Sequence, residues 1–220
     1  MYESLAKSEV FSTLTPPQIQ SLLQCLGARE RRYQKGEIIL LEGTPTEYLG
    51  VVLSGSVVIE LGDAWGNHSI LGAIGPGGTF AEAYACAPGE PMLVTVSAAQ
   101  SCAVLLVNAS RVLTTCSNQC PQHHLLIRNL LTLTARKNIQ LSRRMQYTAP
   151  KTIRGRLMSY FSECAKRTGN SAFALPFNRQ QLADYLNVDR SALCTELSKM
   201  QKDGLIQYDR NRIKICTEDR

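Results

Sequence analysis

Four polar residues near the C-terminus stand at the positions of a predicted α-helix that its apolar stripe leaves facing outward. Arg190, Ser191, Thr195 and Lys199 lie within ten residues of one another, and none of them is a carboxylate. A guanidinium, two hydroxyls and an ammonium on one side of a helix can hydrogen-bond to base edges and phosphates of a DNA duplex. These four residues are therefore candidates for contacts with DNA.

The surrounding residues predict two short helices with a sharp turn between them. Asn178 is placed to cap the first helix, and Gln181 follows where a capping box has Glu or Gln. Asn187 stands at the turn, because asparagine tolerates a left-handed backbone, and Asp189 is placed to cap the second helix. The pattern predicts a helix-turn-helix with a recognition helix, and the alternative is a helical hairpin in an ordinary bundle. The apolar residues predicted to face inward are Leu182, Ala183, Leu186, Leu193, Leu197 and Met200.

The residues on either side extend this pattern to a winged helix over residues 149–220. Ala149-Pro150 marks a hinge, and a helix over residues 152–166 and a short strand over residues 173–177 follow it. Residues 204–215 predict two strands that turn at residues 209–211. Arg210 and Arg212 would then lie at the tip of the wing, within reach of phosphate.

The charge of the chain is divided unequally between its halves. Residues 1–110 carry 5 Lys/Arg and 10 Asp/Glu, a net of −5, while residues 111–220 carry 19 Lys/Arg and 8 Asp/Glu, a net of +11. A basic half suits a polyanion such as DNA, because phosphate contacts supply most non-specific affinity for nucleic acid. The acidic half must have another role.

Residues 31–110 predict short strands bounded by glycine turns. Branched apolar runs recur at intervals of about 8–12 residues, which is typical of an antiparallel sandwich or roll. Residues 63–67 are predicted to form a hairpin tip, with Trp65 and His68 exposed. Residues 1–30 are predicted to be helical, with a helix start at Thr15-Pro16-Pro17.

A long segment without glycine or proline, residues 122–147, predicts a helix between the two parts of the chain. Its apolar stripe is broad, so we expect a two-fold partner helix to cover the exposed side, and the alternative is packing against the N-terminal part only. The predicted division is a β-roll sensor over residues 1–118, a dimerisation helix over 119–148 and the winged helix over 149–220. The residues of the stripe are Leu126, Ile127, Leu130, Leu131, Leu133, Leu141 and Met145.

The order of these elements resembles the cyclic-AMP receptor protein and fumarate-nitrate regulator (Crp/Fnr) family over nearly the whole chain. The residues that carry the resemblance are Lys35-Gly36-Glu37-Ile38-Ile39, Glu42-Gly43, Leu53-Ser54-Gly55-Ser56-Val57, Gly77-Gly78-Thr79-Phe80-Ala81-Glu82 and Val188-Asp189-Arg190-Ser191.

The resemblance implies an α+β fold with an antiparallel β-roll of the cyclic-nucleotide-binding, cupin-like type. It also implies a homodimer that binds double-stranded promoter DNA, at a palindromic site, and works with RNA polymerase. Arg190 would contact guanine, and Arg179 and Lys199 would contact phosphates. Ser191 and Thr195 differ from relatives that read the best-known half-site, so we expect a different DNA sequence.

The effector pocket departs from the nucleotide-binding members of the family. Those members hold the cyclic phosphate with an Arg-Ser or Arg-Thr pair, which here aligns with Met92-Leu93. No Arg, Lys or His lies between Phe80 and Asn108, and Glu82 would repel an anion. We therefore expect an effector other than a cyclic nucleotide, in a pocket of Phe80, Glu82, Met92 and Leu93. The alternative is that these residues fill the core of the roll.

Other chemistries find little support in the sequence. His68, His123 and His124 are expected to be solvated rather than haem ligands, and we expect no metal site and no catalytic residues. The eight cysteines include no Cys-x-x-Cys pair, and most of them are expected to be buried thiols. A redox switch is the alternative for a subset of them. That subset is Cys86, Cys102, Cys116 and Cys120.

The sequence contains neither of the signals expected of a membrane or secreted protein. No apolar run approaches the ~20 residues of a membrane helix, and no signal peptide begins the chain, so we expect a cytoplasmic protein with no membrane partner. The alternative function is a ligand- or thiol-responsive binding protein whose winged helix contacts other proteins.

Overall fold

The structure is a computed structural model, and it describes residues 2–62, 68–114 and 121–216. The chain forms two compact units, Met1–Arg136 and Lys137–Arg220. The predicted hairpin tip at residues 63–67, with Trp65, lies outside the described residues. No helix in the described parts of the chain is long and apolar enough to cross a membrane.

The first unit is built mainly from short antiparallel strands. One sheet has the strand order β1-β8-β3-β6 and the other has the order β2-β7-β4-β5. The predicted antiparallel β-roll is therefore confirmed. Its elements are α1 (Tyr2–Leu5), α2 (Pro16–Leu26), β1 (Arg29–Tyr33), β2 (Ile38–Leu40), β3 (Tyr48–Ser54), β4 (Val57–Gly62), β5 (His68–Ile74), β6 (Thr79–Phe80), α3 (Glu82–Ala85), β7 (Thr95–Ala98), β8 (Cys102–Asn108) and α4 (Ala109–Leu113).

Two glycine positions show how closely the roll is packed. A Cβ atom added at Gly50 would lie 2.1 Å from the ring of Phe80, which pairs with it across strands β3 and β6. Gly55 has a φ of +72°, and a Cβ atom there would meet the backbone oxygen of Ser101 at 2.4 Å. The backbone can approach its neighbours this closely only where the side chain is absent.

Helix α2 begins as the sequence predicts. Thr15 is its N-cap, Pro16 and Pro17 occupy its first positions, and the side chain of Gln18 accepts a hydrogen bond from the Thr15 backbone at 2.9 Å. The helix ends at Gly27, whose φ of +59° is left-handed. Its buried residues are Ile19, Leu22, Leu23 and Leu26.

The long helix α5 runs from Pro121 to Thr148, and the boundary between the units falls within it. In the first unit Leu126, Leu130 and Leu133 are buried in the core that also includes helix α2. The side chain of Asn129, on the same side, donates to the backbone oxygen of Val10 at 2.9 Å. The exposed large apolar residues of α5 are Leu131, Ile139, Leu141 and Met145.

The second unit has one core surrounded by helices and a small sheet. The sheet has the order β10-β11-β9, and strands β10 and β11 form the predicted wing. The residues predicted to face inward in the two short helices are all buried. Its remaining elements are α6 (Ile153–Thr168), β9 (Ala172–Ala174), α7 (Arg179–Leu186), α8 (Arg190–Lys202), β10 (Ile206–Asp209) and β11 (Arg212–Ile215).

Candidate nucleic-acid interface

The first helix of the predicted helix-turn-helix, α7, begins with a complete capping box. The side chain of Asn178 accepts from the backbone N–H of Gln181 at 2.9 Å, and the side chain of Gln181 accepts from the backbone N–H of Asn178 at 2.9 Å. Two backbone donors that the first turn leaves without partners are satisfied in this way. The start of α7 is therefore fixed locally, as the sequence predicts.

The turn between the two helices has the expected left-handed residue. Asn187 has a φ of +53°, and the backbone N–H of Val188 donates to the carbonyl of Ala183 at 3.0 Å. Asp189 then caps α8 by accepting from the backbone N–H of Ala192 at 2.9 Å. A hydrogen bond from the hydroxyl of Ser191 and the bond from Ala192 stabilise the carboxylate, so the pKa of Asp189 is lowered.

Two arginines cap the C-terminal end of α7 from outside the motif. Arg144 donates to the carbonyls of Asp184 and Tyr185 at 3.0 and 3.1 Å. Arg156 donates to the carbonyls of Leu186 and Asn187 at 3.1 and 2.8 Å. The last carbonyls of a helix have no partner within it and attract positive charge, so these contacts hold the turn in place. No local sequence pattern predicts these contacts, because Arg144 lies 40 residues before Asp184.

A third arginine ties the recognition helix α8 to helix α6. Arg154 lies 2.6 Å from a carboxylate oxygen of Glu196 and 2.7 Å from one of Asp203. Its two partners both belong to α8 or its C-terminal cap. The contact fixes the rotation of α8 about its own axis, and it also keeps the carboxylate of Glu196 occupied within the unit. No local sequence pattern predicts this pairing either.

The predicted outward face of α8 is exposed. Arg190, Ser191, Thr195 and Lys199 are all accessible to solvent, while Leu193, Leu197 and Met200 on the other side are buried. The structure therefore presents the four polar residues together.

Two of these four side chains are oriented by local hydrogen bonds. The hydroxyl of Ser191 donates to the carboxylate of Asp189, and the hydroxyl of Thr195 donates to the backbone carbonyl of Ser191 at 3.0 Å. A hydroxyl has one donor hydrogen and two acceptor lone pairs. Because each donor is already used, both oxygens are left with acceptor capacity.

The wing carries the other predicted contacts. Arg210 and Arg212 are exposed at its tip, and Arg210 has a φ of +49°. Arg179 is half-buried, because its guanidinium donates to the carbonyl of Arg210 at 2.6 Å and lies 5.0 Å from the ring centroid of Tyr208. Arg179 therefore connects the start of α7 to the wing, a role that the sequence did not predict.

Comparison with known proteins identifies both parts of this architecture. The family model described as "Cyclic nucleotide-binding domain" matches residues 30–119, and the one described as "Crp-like helix-turn-helix domain" matches residues 155–220. The second match contains helices α7 and α8 and the wing.

The chain belongs to the Crp/Fnr family. It is a DNA-binding transcription regulator of the type found in bacteria. A search of curated protein sequences with this chain found no match.

Solved structures of other regulators share the fold. The catabolite activator protein of Thermus thermophilus is 19% identical, with a TM-score of 0.52, and the match covers 94% of this chain and 93% of that chain. The c-di-GMP responsive regulator CLP of Xanthomonas campestris is 18% identical, with a TM-score of 0.55, and the match covers 93% and 100% of the two chains. These likenesses concern the fold.

The predicted effector residues of this Crp/Fnr protein do not form one group. Phe80 and Met92 are buried in the core of the roll, and Glu82 is buried at the start of helix α3. Leu93, in contrast, is 68% exposed. Its backbone N–H donates to the hydroxyl of Tyr84 at 3.4 Å. Phe80 and Met92 are therefore part of the core of the roll, whereas Leu93 is not.

The histidines differ from the prediction in one case. His124 is exposed, as expected, but His123 is only 4% exposed, and neither of its ring nitrogens has a hydrogen-bond partner among the described residues. The prediction of a solvated His123 was wrong, because His123 lies about one turn before Leu126, on the side of α5 that packs inward. The side chain of His68 is outside the description.

Two of the four cysteines proposed for a redox switch, Cys86 and Cys102, are not activated. Burial raises the pKa of Cys86 and of Cys102, and the carboxylate of Glu82 adds to the effect at Cys86. A raised pKa disfavours the thiolate, which is the reactive form. Cys116 and Cys120 lie outside the described residues. Within those residues, no group of three or more His, Cys, Asp or Glu side chains could hold a metal ion.

Proposed function

We propose that this protein is a homodimeric transcription regulator that reads a specific DNA sequence through α8 and responds to an effector other than a cyclic nucleotide. The observation that carries the proposal is the exposed polar face of α8. That face is presented by a helix capped by Asp189, and the carboxylates of Glu196 and Asp203 are held by Arg154.

We assign direct reading of the bases to the N-terminal half of α8. Arg190 has the donor pair that matches O6 and N7 of guanine. Ser191 and Thr195 offer acceptor oxygens, since their hydroxyl hydrogens are used internally, and this favours the amino groups of adenine or cytosine. The methyl group of Thr195 would suit the methyl group of thymine. We expect a half-site with guanine beside a base that carries an amino donor.

Phosphate contacts are assigned to residues at the edges of this surface. Lys199 is exposed two turns along α8 from Ser191, and Arg210 and Arg212 are exposed at the wing. These side chains would set the position of the protein on the duplex without reading its sequence. Arg179 is a positioning residue for the wing, because its guanidinium holds the carbonyl of Arg210.

The homodimer is supported by an apolar stripe on α5 that follows the heptad spacing of a coiled coil. Leu131, Leu141 and Met145 are 68%, 62% and 72% exposed, although each is large and apolar. A second copy of the same helix would cover them and would supply the two-fold symmetry that a palindromic site requires. Of the heptad positions, His124, Thr134 and Asn138 are polar, and the apolar stripe consists of Ile127, Leu131, Leu141 and Met145.

The effector proposal depends on charge. The segment from Phe80 to Asn108 contains no cation to bind a cyclic phosphate, and the carboxylate of Glu82 is buried there. Desolvating a phosphate without a positive partner is unfavourable. We therefore propose that the roll takes a different signal.

RNA polymerase, as the family resemblance implies, is the proposed protein partner.

Base reading is tested by selecting sites from a pool of random duplexes and measuring affinities for the selected and a scrambled site. Arg190→Ala should lose about 1–3 kcal/mol of discrimination for each contacted base pair. Lys199→Ala, the matched control, should weaken binding to both duplexes alike and lower the salt slope by about one.

Two outcomes would contradict the proposal. If Arg190→Ala discriminates as well as the wild type, Arg190 does not read a base. If the wild type binds no duplex even at low salt, the winged helix would serve protein contacts instead.

The dimer is tested by sedimentation of a variant in the apolar stripe. Leu131→Glu should convert the protein to a monomer, because a dimer would bury two like charges against each other. Thr132→Glu, one residue along on the same helix but outside the stripe, should remain a dimer. Equal sedimentation of the two variants would exclude the stripe as the interface.

A further inference from the structure

A cleft of about 590 Å³ lies wholly within the C-terminal unit. Its walls come from the end of α5, from α6, from the loop after β9 and from α7. None of the four candidate base and phosphate contacts on α8 lines it. The cleft is therefore separate from the proposed DNA interface, and the volume is in the usual range for a small-molecule site of ~300–1,000 Å³.

One wall of the cleft is aromatic. Tyr147 and Tyr160 are almost completely buried and meet edge to face, with ring centroids 5.3 Å apart. Tyr185 lies 5.5 Å from Tyr160 and 4.8 Å from Phe177. Tyr185 and Phe177 are partly exposed and are held in place by the buried pair, so they offer a surface on which a further planar ring can stack or pack edge to face. Burial also raises the pKa of all three tyrosines, so they stay neutral at physiological pH.

The charged groups of the cleft are mostly cationic. Its lining includes four cationic side chains and a single carboxylate, Glu163, which gives a net charge of +3. Cations gathered beside an apolar wall repel one another, and an anion bound among them would relieve this repulsion. The cationic residues are Lys137, Arg143, Arg144 and Arg167.

Arg144 is held in place before any ligand arrives. Two of its N–H groups donate to the carbonyls of Asp184 and Tyr185, and its guanidinium lies 5.7 Å from the ring centroid of Tyr185. A guanidinium has five N–H groups, so three are left for another acceptor. A fixed guanidinium loses little freedom on binding a carboxylate or phosphate, which favours affinity.

We propose that this cleft binds a small planar aromatic anion. The ring of the ligand packs on Tyr185 and Phe177, and its carboxylate or phosphate group is bound by Arg144 and Arg167. A neutral apolar ligand would leave the cationic side of the cleft unused. An inorganic anion would leave the aromatic side unused, so the class of ligand follows from the two sides together.

The experiment is calorimetric titration of the full-length protein with probes that separate ring from charge. The probe is 2-naphthoate, and the controls are the uncharged 2-naphthamide, the non-aromatic cyclohexanecarboxylate and inorganic phosphate. We expect 2-naphthoate to bind at one site per chain, at least ten times more tightly than each control. Adenosine 5′-monophosphate tests whether the charged group is a phosphate, and tighter binding than 2-naphthoate would support the site with a phosphorylated ligand.

Variants then locate the site. Arg167→Met, at an exposed guanidinium on the rim, should weaken 2-naphthoate binding at least ten-fold and leave thermal unfolding unchanged. Tyr185→Phe should retain binding, because the ring is kept. Arg128→Met is the matched control, since Arg128 is an exposed arginine of α5 outside the cleft, and it should bind as the wild type does.

Several results would overturn the proposal. These are no binding of 2-naphthoate or the monophosphate, equal binding of 2-naphthoate and 2-naphthamide, equal binding of inorganic phosphate, and unchanged binding in Arg167→Met. The titrations contain no DNA, so failure of the protein to bind DNA would not affect them. Failure of the cleft to bind a ligand would equally leave the DNA-binding proposal standing.

Discussion

Each of the two units is stabilised internally by a different kind of polar contact. In the roll, polar groups are satisfied mainly by strand pairing, as in the six-residue register between β3 and β8, and glycine permits the closest approaches. In the C-terminal unit, Arg144, Arg156 and Arg179 donate to backbone carbonyls that are distant in sequence. The packing of the roll therefore depends on positions that have no side chain. The fold of the DNA-binding unit depends on arginine side chains long enough to bind carbonyls far away in the sequence.

This difference changes how the positive charge of the C-terminal half is understood. A net charge of +11 suggests a surface devoted to DNA. Four of its arginines, Arg144, Arg154, Arg156 and Arg179, are instead engaged in contacts within the unit. Net charge identifies the unit that binds a polyanion, but it overestimates the number of side chains that are available to touch one.

The largest effect is expected in the roll. Gly50→Ala should destabilise it by about 3 kcal/mol, because the new Cβ atom would overlap the buried ring of Phe80. Chemical denaturation measures the change. Gly72→Ala is the matched control, since Gly72 also lies in a strand and has no atom within 4 Å of the Cβ position. The double variant Gly50→Ala with Phe80→Leu should regain part of the loss. A loss no larger than that of Gly72→Ala would mean that the roll tolerates this overlap.

A smaller effect is expected when an arginine clamp is removed. Arg156→Met should destabilise the C-terminal unit by about 2 kcal/mol, because three carbonyls lose a charged donor. Lys151→Met, at an exposed cation near the same hinge, should change little. Thermal unfolding of the two variants gives the comparison. Equal melting temperatures would show that the carbonyls of the turn do as well with water.

The smallest effect concerns the pH dependence of the cap at Asp189. Its pKa is lowered on folding, so its contribution is fully present above the unfolded pKa of about 4 and is lost as the pH falls through the lower folded value. Asp189→Asn keeps a good capping residue but does not titrate. Denaturation at pH 7 and at pH 3 should therefore show a smaller drop in stability for the variant. Parallel drops would indicate that the cap carries no such linkage.

Local signals explain what could be predicted from the sequence. The caps at Thr15, Asn178 and Asp189 and the turn at Asn187 each depend on residues within a few positions, and the structure has all of them. The polar face of α8 and its buried stripe follow from one helical period. The site was therefore predictable as far as it lies within one short segment.

The remainder depends on partners far along the chain. Strand β1 has the sequence Arg-Glu-Arg-Arg-Tyr, whose composition gives no strand signal, and it forms because β8 pairs with it. The clamps at Arg144, Arg154 and Arg156 join residues that are 30 to 42 positions apart. The burial of His123 likewise depends on which side of α5 packs inward. Such contacts have no local pattern from which they can be predicted.

The left-handed backbone of Arg210 sets stability against function at the wing tip. Glycine would adopt this conformation without strain, and asparagine would tolerate it better than arginine does. Glycine at this position would also remove a positive charge from the part of the wing nearest the proposed phosphates. Selection for stability alone would therefore favour glycine or asparagine at position 210. Selection for affinity to DNA would favour arginine.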